Sequence, residues 1–343
     1  MKAAKLYGVN DLRIEELPDP NPADDEVVIQ VKACGVCATD VNMWRGTSSE
    51  GEFPFVPGHE WSGEIVEVGR GVKDYIVGDR VVGEICVPCG ACANCKDGLP
   101  PEACMNFELY GFRTNNPGAM AEFHLARASR LHHIPDGLSY EDAALLEPVW
   151  VAYNSIWEKG GGVGPHDRMV VFGCGPIGLL AVLTGKASGA LIVVVEPQPY
   201  RRKLALELGA DVAVDPTEGG LEEQVCAHTG GRGASLVVEC SGNDAARAGA
   251  LDVLANRGRI VLIGLGGNHN VPIIDLDKAI FKGATISGGD GSSFFLSKTL
   301  AFLSRQLVDV GRVITHRFSL EHVVKALELG GTQGESSKIM IIP

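Results

Sequence analysis

Three separated pieces of the sequence carry side chains that are able to hold a metal ion. GVCATD contains Cys37, GHE contains His59 and Glu60, and LLEPVW contains Glu147. Thiolate, imidazole and carboxylate together form the ligand set of a catalytic zinc that keeps one position open for substrate or water. Zinc in such a site acts as a Lewis acid on an alcohol, which can then pass a hydride to a nicotinamide cofactor. Each piece alone is weak evidence, but their joint presence predicts alcohol oxidation.

A glycine-rich turn between two apolar runs predicts a nucleotide-binding site. The turn consists of Gly173, Cys174, Gly175, Pro176, Ile177 and Gly178. Its glycines allow a tight bend and a close approach of the backbone to a pyrophosphate, while the following helix supplies free N–H groups. Glu196, at the end of the next run, is placed to accept hydrogen bonds from the ribose hydroxyls and to repel a 2'-phosphate. NAD is therefore favoured over NADP, although Arg201 and Arg202 weaken that preference. A purely structural turn is the alternative.

Two further turns follow apolar runs at positions where ligands of open sheets bind. Ser241 follows SLVVEC, and the cluster Gly264 to Gly267, which includes Leu265, follows RIVLIGL. The carboxyl edge of a parallel sheet is the usual binding edge. Ser241, Gly264 and Leu265 are therefore candidates for the nicotinamide pocket, with a structural turn as an equally good interpretation. The cluster Gly160 to Gly164 precedes its strand and is predicted to be a loop.

The cysteines and the overall charge limit the class of protein. Five of the ten cysteines fall between Cys86 and Cys104, and CGACANC spaces three thiols evenly. MKAAKLYGVNDLRIEELP lacks the apolar core of a signal peptide, and no later run is long enough to cross a membrane, so a cytoplasmic location is expected. In that reducing compartment, metal ligation and burial explain the cysteines better than disulfides. A net charge of -13 argues against nucleic acid and anionic membranes as partners.

The elements that must position these residues change character along the chain. The 343 residues favour two domains. From about residue 25 to 125, short runs such as EVVIQVKA and GEIVEVG predict a small barrel-like β domain. Later runs such as MVVFG, LIVVVEP and RIVLIGL are continuously apolar, which predicts a parallel sheet buried on both faces, with right-handed crossovers. The tail has two amphipathic helices around a short strand and then KIMIIP, which is expected to return to the first domain.

From KAAKLYG to KIMIIP, the chain resembles the zinc-dependent medium-chain dehydrogenases. The specific matches are the zinc signature GHE-x2-G-x5-G-x2-V from Gly58 to Val72, G-x-C-x-T-D from Gly35 to Asp40, and VFGCGPIG. The resemblance implies a GroES-like β-barrel catalytic domain at residues 1–148, completed by 287–343, and a Rossmann NAD-binding domain at 149–286. It also implies an active site in the cleft between them.

The resemblance assigns the metal ligands residue by residue. Cys37 and His59 would ligate the catalytic zinc, and Glu60 would be a ligand or a nearby carboxylate that exchanges with water. Glu147 stands where alcohol dehydrogenases of the family have a cysteine and sorbitol-type polyol dehydrogenases have a glutamate. The chain is therefore similar to the polyol branch.

The resemblance also implies how the substrate proton is handled. Thr39 matches the hydroxyl that passes the proton, and Asp40 would orient the imidazole of His59 from behind. Asn42 departs from the liver-type alcohol dehydrogenases, which have a histidine there at the end of the proton relay. Water is the expected route to solvent in its place.

The cysteine cluster matches the structural-zinc lobe of the family. Its four ligands would be Cys89, Cys92, Cys95 and Cys104, which gives two zinc ions per chain together with the catalytic site. Four thiolates close a tetrahedron and leave no position for substrate. The gap before Cys104 is eight residues, one longer than usual in the family. Replacement by Cys86, or a lobe without metal, are the alternatives.

The expected reaction is hydride transfer between NAD and a secondary alcohol of a polyol, sugar or cyclitol. GHEWSG and LLEPVWVAYNSIWEKGGG resemble members that act on inositol-derived ketones. An L-threonine dehydrogenase-like activity, a simple secondary alcohol dehydrogenase and a non-catalytic zinc- or nucleotide-binding protein are the alternatives. The family also implies a homodimer or homotetramer. Pocket walls or core positions are expected for six aromatic residues: Trp44, Trp61, Tyr110, Phe112, Trp150 and Trp157.

Overall fold

The computed structural model divides the chain into two compact units. Unit 1 comprises Met1–Glu147, Ser292–Gln306 and Ile314–Pro343, and unit 2 comprises Pro148–Gly291 and Leu307–Val313. None of the helices in the described part of the chain is long and apolar enough to span a bilayer. The residues that the structure describes are 1–48, 51–99, 101–266, 274–289, 296–332 and 335–343.

Unit 1 begins with a series of strands, most of them short. The strands in its first segment, Met1–Glu147, are β1 (Lys2–Gly8), β2 (Asp11–Glu16), β3 (Glu26–Val36), β4 (Glu60–Val68), β5 (Arg80–Gly83), β6 (Cys86–Val87), β7 (Glu108–Leu109), β8 (Phe123–Arg127) and β9 (Leu131–His133). Three helices interrupt them, α1 (Ala38–Arg45), α2 (Ala93–Lys96) and α3 (Tyr140–Ala144). β3 is the longest strand and pairs antiparallel with both β4 and β8, so it forms the centre of the sheet.

Strands and helices alternate regularly in unit 2. The unit boundary at Glu147 falls within α4 (Leu146–Asn154), and a π-helical turn (Ser155–Lys159) follows. The elements are then β10 (Arg168–Phe172), α5 (Pro176–Lys186), β11 (Leu191–Val195), α6 (Pro199–Glu207), β12 (Val212–Val214), α7 (Leu221–His228), β13 (Ala234–Glu239), α8 (Asp244–Asp252), β14 (Leu254–Leu262), α9 (Leu276–Lys282) and β15 (Thr285–Gly288).

The six strands of unit 2 form one parallel sheet in the order β12-β11-β10-β13-β14-β15. Helices cover both faces of such a sheet, which explains why the strands are continuously apolar; Val170, Val193 and Val237, for example, are fully buried. The chain order reverses direction between β10 and β13, and ligands bind at the carboxyl ends of strands beside such a reversal. The turn after β10 is therefore the expected binding point.

The tail supplies the last strands of the unit 1 sheet. It contains α10 (Leu296–Ser304), β16 (Ile314–Ser319), α11 (Val323–Gly330) and β17 (Lys338–Ile342). β17 pairs antiparallel with β3 and parallel with β16, giving the strand order β16-β17-β3-β4-β5-β9 with β8 also on β3. β3 is thus flanked by β4 on one side and by β17, from the far end of the sequence, on the other. Single 3-10 turns lie at Pro101–Ala103, Ala128–Arg130, Pro216–Glu218, Val310–Val313 and Leu320–His322.

Candidate active site

Cys37 lies where β3 ends and α1 begins. It is the N-cap of the helix, and its backbone N–H donates to Oδ2 of Asp40 at 2.9 Å. This capping contact fixes the backbone at the cysteine. The Sγ atom lies 3.6 Å from the hydroxyl oxygen of Thr39. The predicted thiol and the predicted proton-passing hydroxyl are therefore neighbours.

The buried carboxylate of Asp40 faces the imidazole of His59. Its Oδ1 lies 3.6 Å from Nδ1, and it accepts the backbone N–H of Gly58 at 3.3 Å. Burial opposes charge on the imidazole, but Asp40 and Cys37 outweigh it and raise the pKa of His59 well above its ordinary value. The ring of Phe112 covers the histidine at a centroid distance of 5.2 Å. Nδ1 thus points to a carboxylate, the orientation in which Nε2 is able to bind a metal.

The structure brings three of the four predicted metal ligands into one group. The ligand atoms of Cys37, His59 and Glu60 lie within 4.8 Å of one another, and this donor set fits zinc. Glu147 is not in that group, but it is buried and the charges of His59 and Glu60 act on its carboxyl group. Burial raises the pKa of Glu147 to about 7, with His59 opposing the shift and Glu60 adding to it.

Lys338 is a site residue that sequence reasoning missed. It is the first residue of β17, and its Nζ lies 2.7 Å and 2.6 Å from the two carboxylate oxygens of Glu60. Both side chains are almost completely buried. The signal in the sequence was the lysine at the start of the apolar run KIMIIP. A lysine in that position ordinarily indicates an exposed strand end.

The four cysteines of the predicted structural-zinc lobe form a second group. The sulfur atoms of Cys89, Cys92, Cys95 and Cys104 lie within 4.8 Å of one another. Backbone N–H groups point at the sulfurs, for example that of Asn106 at 3.4 Å from Cys104. Such donors, with Met105 first, lower the pKa of Cys92 to about 6. The longer gap therefore does not keep Cys104 from the cluster.

Cys86, the alternative fourth ligand, lies in β6 opposite Leu109 and is not a member of that group.

The glycine turn follows β10, at the expected binding point of the unit 2 sheet. Gly173 has a positive φ of 84°, and a side chain on Gly178 would overlap the carbonyl oxygen of Gly173. A side chain on Gly175 would meet no atom, so this glycine leaves open space in front of the backbone. Gly175 is also the N-cap of α5, where Pro176 and Ile177 begin the helix without a side-chain cap. The turn therefore fits a pyrophosphate.

Glu196 lies at the end of β11, beside this turn. Its Oε2 accepts the N–H of Cys174 at 2.7 Å, and its Oε1 accepts the N–H of Gln198 at 2.9 Å. Each carboxylate oxygen has a further lone pair, so both can still accept from ribose hydroxyls. In α6, Nε of Arg201 is buried without a hydrogen-bond partner in the described structure. Glu196 therefore holds the turn as well as offering acceptors.

The remaining predicted cofactor residues meet at the same edge of the sheet. Ser241 follows β13 and donates its hydroxyl to Glu239 at 2.5 Å. Gly264 follows β14 and lies against Gly242. A side chain on Gly264 would overlap the backbone nitrogen of Gly242. Leu265, next in the chain, is 83% exposed. Gly267, the end of that predicted cluster, lies outside the described residues.

The six aromatic candidates are mainly core residues. Trp61 and Trp150 are among the largest fully buried side chains, and Trp44 and Tyr110 are also buried. Phe112, in contact with His59, is the one that the described contacts place against a predicted ligand. Core packing therefore accounts for most of this set.

Two protein families match the chain. The family described as "Alcohol dehydrogenase GroES-like domain" matches residues 23–136, and the family described as "Zinc-binding dehydrogenase" matches residues 176–304.

Similar proteins match most or all of the chain. Sorbitol dehydrogenase of Bacillus subtilis is 33% identical, covering 100% of this chain and 97% of that protein. L-Threonine 3-dehydrogenase of the same species is 34% identical, covering 100% and 99%. Scyllo-inosose 3-dehydrogenase of Thermotoga maritima is 38% identical over 70% of this chain and 65% of its own length.

Solved structures of dehydrogenases also resemble the chain over its whole length. The 2R,3R-butanediol dehydrogenase of Bacillus subtilis superposes with a TM-score of 0.90 at 28% identity, covering 100% of this chain and 99% of that chain. A protein of Sinorhizobium meliloti described as a zinc-binding dehydrogenase, with bound NADP, superposes with a TM-score of 0.91 at 26% identity and the same coverage. The chain therefore belongs to the zinc-binding alcohol dehydrogenases, enzymes that combine a GroES-like domain with a Rossmann domain, as its sequence predicts.

Proposed function

We propose that this dehydrogenase transfers a hydride between NAD and a secondary alcohol of a polyol, sugar or cyclitol. The observation that carries the proposal is the group of Cys37, His59 and Glu60, of which His59 and Glu60 are buried, with a second carboxylate, Glu147, close by. A carboxylate at position 147 is the feature that resembles the polyol branch. The sorbitol, inosose and butanediol dehydrogenases among the similar proteins support the same substrate class.

The residues proposed to hold the catalytic zinc are Cys37, His59 and Glu147, with Glu60 as a carboxylate within reach. Zinc bound there supplies Lewis acidity toward the substrate hydroxyl. Asp40 keeps the imidazole of His59 oriented from its Nδ1 side.

Thr39 is proposed to take the proton that the alcohol loses, since its hydroxyl lies beside Cys37. Phe112 covers His59 and helps to exclude water from the site. Position 42 is an asparagine, Asn42, and not the histidine that ends the proton relay in liver-type alcohol dehydrogenases. The proton is therefore proposed to leave Thr39 through water.

The cofactor is proposed to bind at the carboxyl edge of the unit 2 sheet. The turn from Gly173 to Gly178 would hold the pyrophosphate, and Glu196 would accept from the ribose hydroxyls. Arg201, Ser241, Gly264 and Leu265 complete the proposed set. A buried carboxylate at the ribose disfavours a 2'-phosphate, so NAD is the proposed cofactor although a similar structure contains NADP.

The four-cysteine group is proposed to hold the second, structural zinc. Cys89, Cys92, Cys95 and Cys104 supply four thiol ligands, which leaves no position for substrate. Unit 1 is proposed as the catalytic domain and unit 2 as the NAD-binding domain, close to the division expected at 1–148 with 287–343 and at 149–286. A cluster of four thiols suited to metal is usual in a reducing compartment, so a cytoplasmic location is proposed.

We propose a homodimer or homotetramer that uses the β15 edge of the unit 2 sheet. Among the described strands, β15 pairs with β14 on one side alone. The preceding helix α9 buries none of its residues, and Leu276, Ile280 and Phe281 are 68%, 74% and 88% exposed. An exposed strand edge beside an apolar helix face is a surface that a second copy can cover.

A substrate panel tests the proposed reaction. Purified enzyme is assayed for NADH formation with acyclic polyols, sugars, cyclitols, simple secondary alcohols and L-threonine. The highest kcat/KM is expected with a member of the first three classes. A preference for L-threonine would support the second candidate, which the threonine dehydrogenase relatives favour. Binding of NAD and zinc without turnover of any compound would favour a non-catalytic role.

A further inference from the structure

The proposed cofactor site extends across the middle of the unit 2 sheet. The turn from Gly173 to Gly178 follows β10 and Glu196 follows β11, so the pyrophosphate and the adenosine ribose are proposed to lie on that side. In the strand order, β13 and β14 lie on the other side of β10. A dinucleotide binds across such a reversal of strand order, so the turns after β13 and β14 are placed to face its nicotinamide half.

The turns after β13 and β14 are in close contact. The backbone carbonyl of Glu239, the last residue of β13, accepts the N–H groups of Ile263 at 2.8 Å and Gly264 at 3.0 Å. A side chain on Gly264 would overlap the backbone nitrogen of Gly242, and a side chain on Gly242 would meet the carbonyl oxygen of Leu265 at 2.5 Å. Neither turn has room for a side chain where it meets the other.

A fully buried carboxylate, that of Glu239, holds the first of these turns. Its Oε1 accepts the hydroxyl of Ser241 at 2.5 Å and the backbone N–H groups of Ser241 at 2.7 Å and Gly242 at 3.0 Å. A buried charge is costly unless it is both paired and hydrogen-bonded. These donors supply the hydrogen bonds, and the second carboxylate oxygen, Oε2, faces a cation.

That cation is Arg247, in the first half of α8. Its Nε lies 3.8 Å from Oε2 of Glu239, and its Nη2 donates to the carbonyl oxygen of Gly264 at 2.7 Å. A side chain on Gly266 would meet Nη1 of Arg247 at 3.3 Å, so the backbone there lies against the guanidinium. Nη1 also lies 3.7 Å from Oδ1 of Asp244. One guanidinium therefore joins the turn after β14 to the carboxylate that holds the turn after β13.

We propose that Arg247 is a positioning residue that fixes the turn after β14 against the turn after β13, and that the joined turns bind the nicotinamide end of the cofactor. The inference rests on the proposed binding of NAD at this edge of the sheet. The planar guanidinium suits the role because its donors point in fixed directions and can serve a carbonyl and a carboxylate at once.

A role in stability alone predicts a different result. Removing one partner of a buried ion pair destabilises a protein whatever the pair does, so a lower thermal midpoint is expected for Arg247→Met in either case. A loss of affinity confined to the nicotinamide end is expected only if the joined turns contact that end. Two ligands that differ in the nicotinamide alone separate these cases.

The test measures dissociation constants by titration calorimetry for NADH and for ADP-ribose, which contains every part of NADH except the nicotinamide. Arg247→Met is expected to weaken NADH binding about tenfold and to leave ADP-ribose binding unchanged. Arg247→Lys keeps the charge but lacks the planar fork, so NADH binding alone is expected to weaken about threefold. Arg232→Met, at an exposed arginine of unit 2, is the matched control and should bind both ligands as the native protein does.

Dissociation constants for NADH and ADP-ribose that stay native in folded Arg247→Met, or that rise by the same factor, would overturn the proposal. If Arg247→Met does not fold, the same comparison in Arg247→Lys decides. A native protein that binds NADH no more tightly than ADP-ribose would also overturn it, because the nicotinamide would then have no pocket. Failure of the native enzyme to oxidise any alcohol would contradict the proposed reaction but leave these binding constants decisive.

Discussion

At the scale of single residues, Glu196 holds the glycine turn and is also proposed to bind the cofactor. It ties the glycine turn to the end of β11 through the N–H groups of Cys174 and Gln198. The same oxygens are the proposed acceptors for the ribose. Its replacement should therefore affect both the shape of the turn and the choice of cofactor.

Glu196→Ala is expected to lower kcat/KM for NAD about 10- to 100-fold, because hydrogen bonds to a charged group contribute about 1.5–3 kcal/mol. The ratio of kcat/KM for NADP to that for NAD should rise, since the charge that repels a 2'-phosphate is gone. Glu207→Ala, at an exposed carboxylate of α6, is the control. A native enzyme that prefers NADP, with the preference unchanged in Glu196→Ala, would contradict the role.

His124 is a buried residue whose charge state affects stability rather than catalysis. It packs between Trp61 and Tyr110 at centroid distances of 4.6 and 5.1 Å. Burial lowers its pKa from 6.5 to about 4. The unfolded chain therefore binds a proton at a higher pH than the native chain does. Between pH 6.5 and 4 this lowers the free energy of unfolding progressively as the pH falls, by about 3 kcal/mol at most.

His124→Phe is expected to lose less stability than the native protein when the pH is lowered from 7 to 4.5. Urea unfolding at both pH values, followed by tryptophan fluorescence, measures the difference. His228→Phe, at an exposed histidine of α7, should behave like the native protein. Equal acid-induced losses in His124→Phe and the native protein would show that His124 does not titrate as a buried group.

Residues differ in how far the sequence alone could place them. The turn from Gly173 to Gly178 was predictable because its neighbours are adjacent in the chain and its spacing has a local physical reason. Lys338 was not, because its partner Glu60 is 278 residues away and the contact depends on β17 and β4 flanking β3. The order of strands in a sheet cannot be deduced from the local pattern of apolar residues. The grouping of Glu60 with Cys37 and His59 is likewise a tertiary result.

At the scale of elements, the segment from β6 to β7 has few apolar residues of its own to pack. Its α2 helix has four residues, none of them buried. The sulfur atoms of four cysteines spread along this segment lie together in one cluster: Cys89, Cys92, Cys95 and Cys104. A metal held there would stabilise this segment without taking part in the reaction.

Metal analysis of Cys95→Ser tests this assignment. The native protein is expected to contain about two zinc ions per chain and the variant about one, with a lower thermal midpoint, because the three remaining thiols cannot close a tetrahedron. Cys226→Ser, a cysteine of α7 outside both groups, should retain two. One zinc in the native protein, or two in Cys95→Ser, would contradict a structural site.

The exposed face of α9 makes a second prediction at this scale. Phe281→Glu is expected to convert a native dimer to monomers or a native tetramer to dimers, because two-fold symmetry places the new charge in the interface twice. Size-exclusion chromatography with light scattering measures the mass. Leu307→Glu, at an exposed apolar position of unit 2 outside α9, is the control. A monomeric native protein, or an unchanged mass in Phe281→Glu, would contradict the proposed interface.

At the scale of the whole molecule, two kinds of apolar pattern predicted two kinds of sheet. Short runs set between Gly, Pro and Asp residues became the strands of unit 1, most of which pair antiparallel, and continuous apolar runs became the parallel sheet of unit 2. A continuous apolar run suits a strand that is buried on both faces, as the strands of a covered parallel sheet are. The pattern could not show that β17, from the end of the chain, lies beside β3, because that pairing joins distant segments.

The central claim is that alcohol oxidation depends on a zinc held by Cys37 and His59. The most direct measurement is the rate of NADH formation with the best polyol, sugar or cyclitol substrate, before and after removal of zinc by a chelator and after its return. The same rate is measured in Cys37→Ala, whose folding and NAD binding are checked separately. We expect the rate to vanish on chelation, to return with zinc, and to be absent in Cys37→Ala. A rate that is indifferent to both zinc removal and Cys37→Ala would contradict the account.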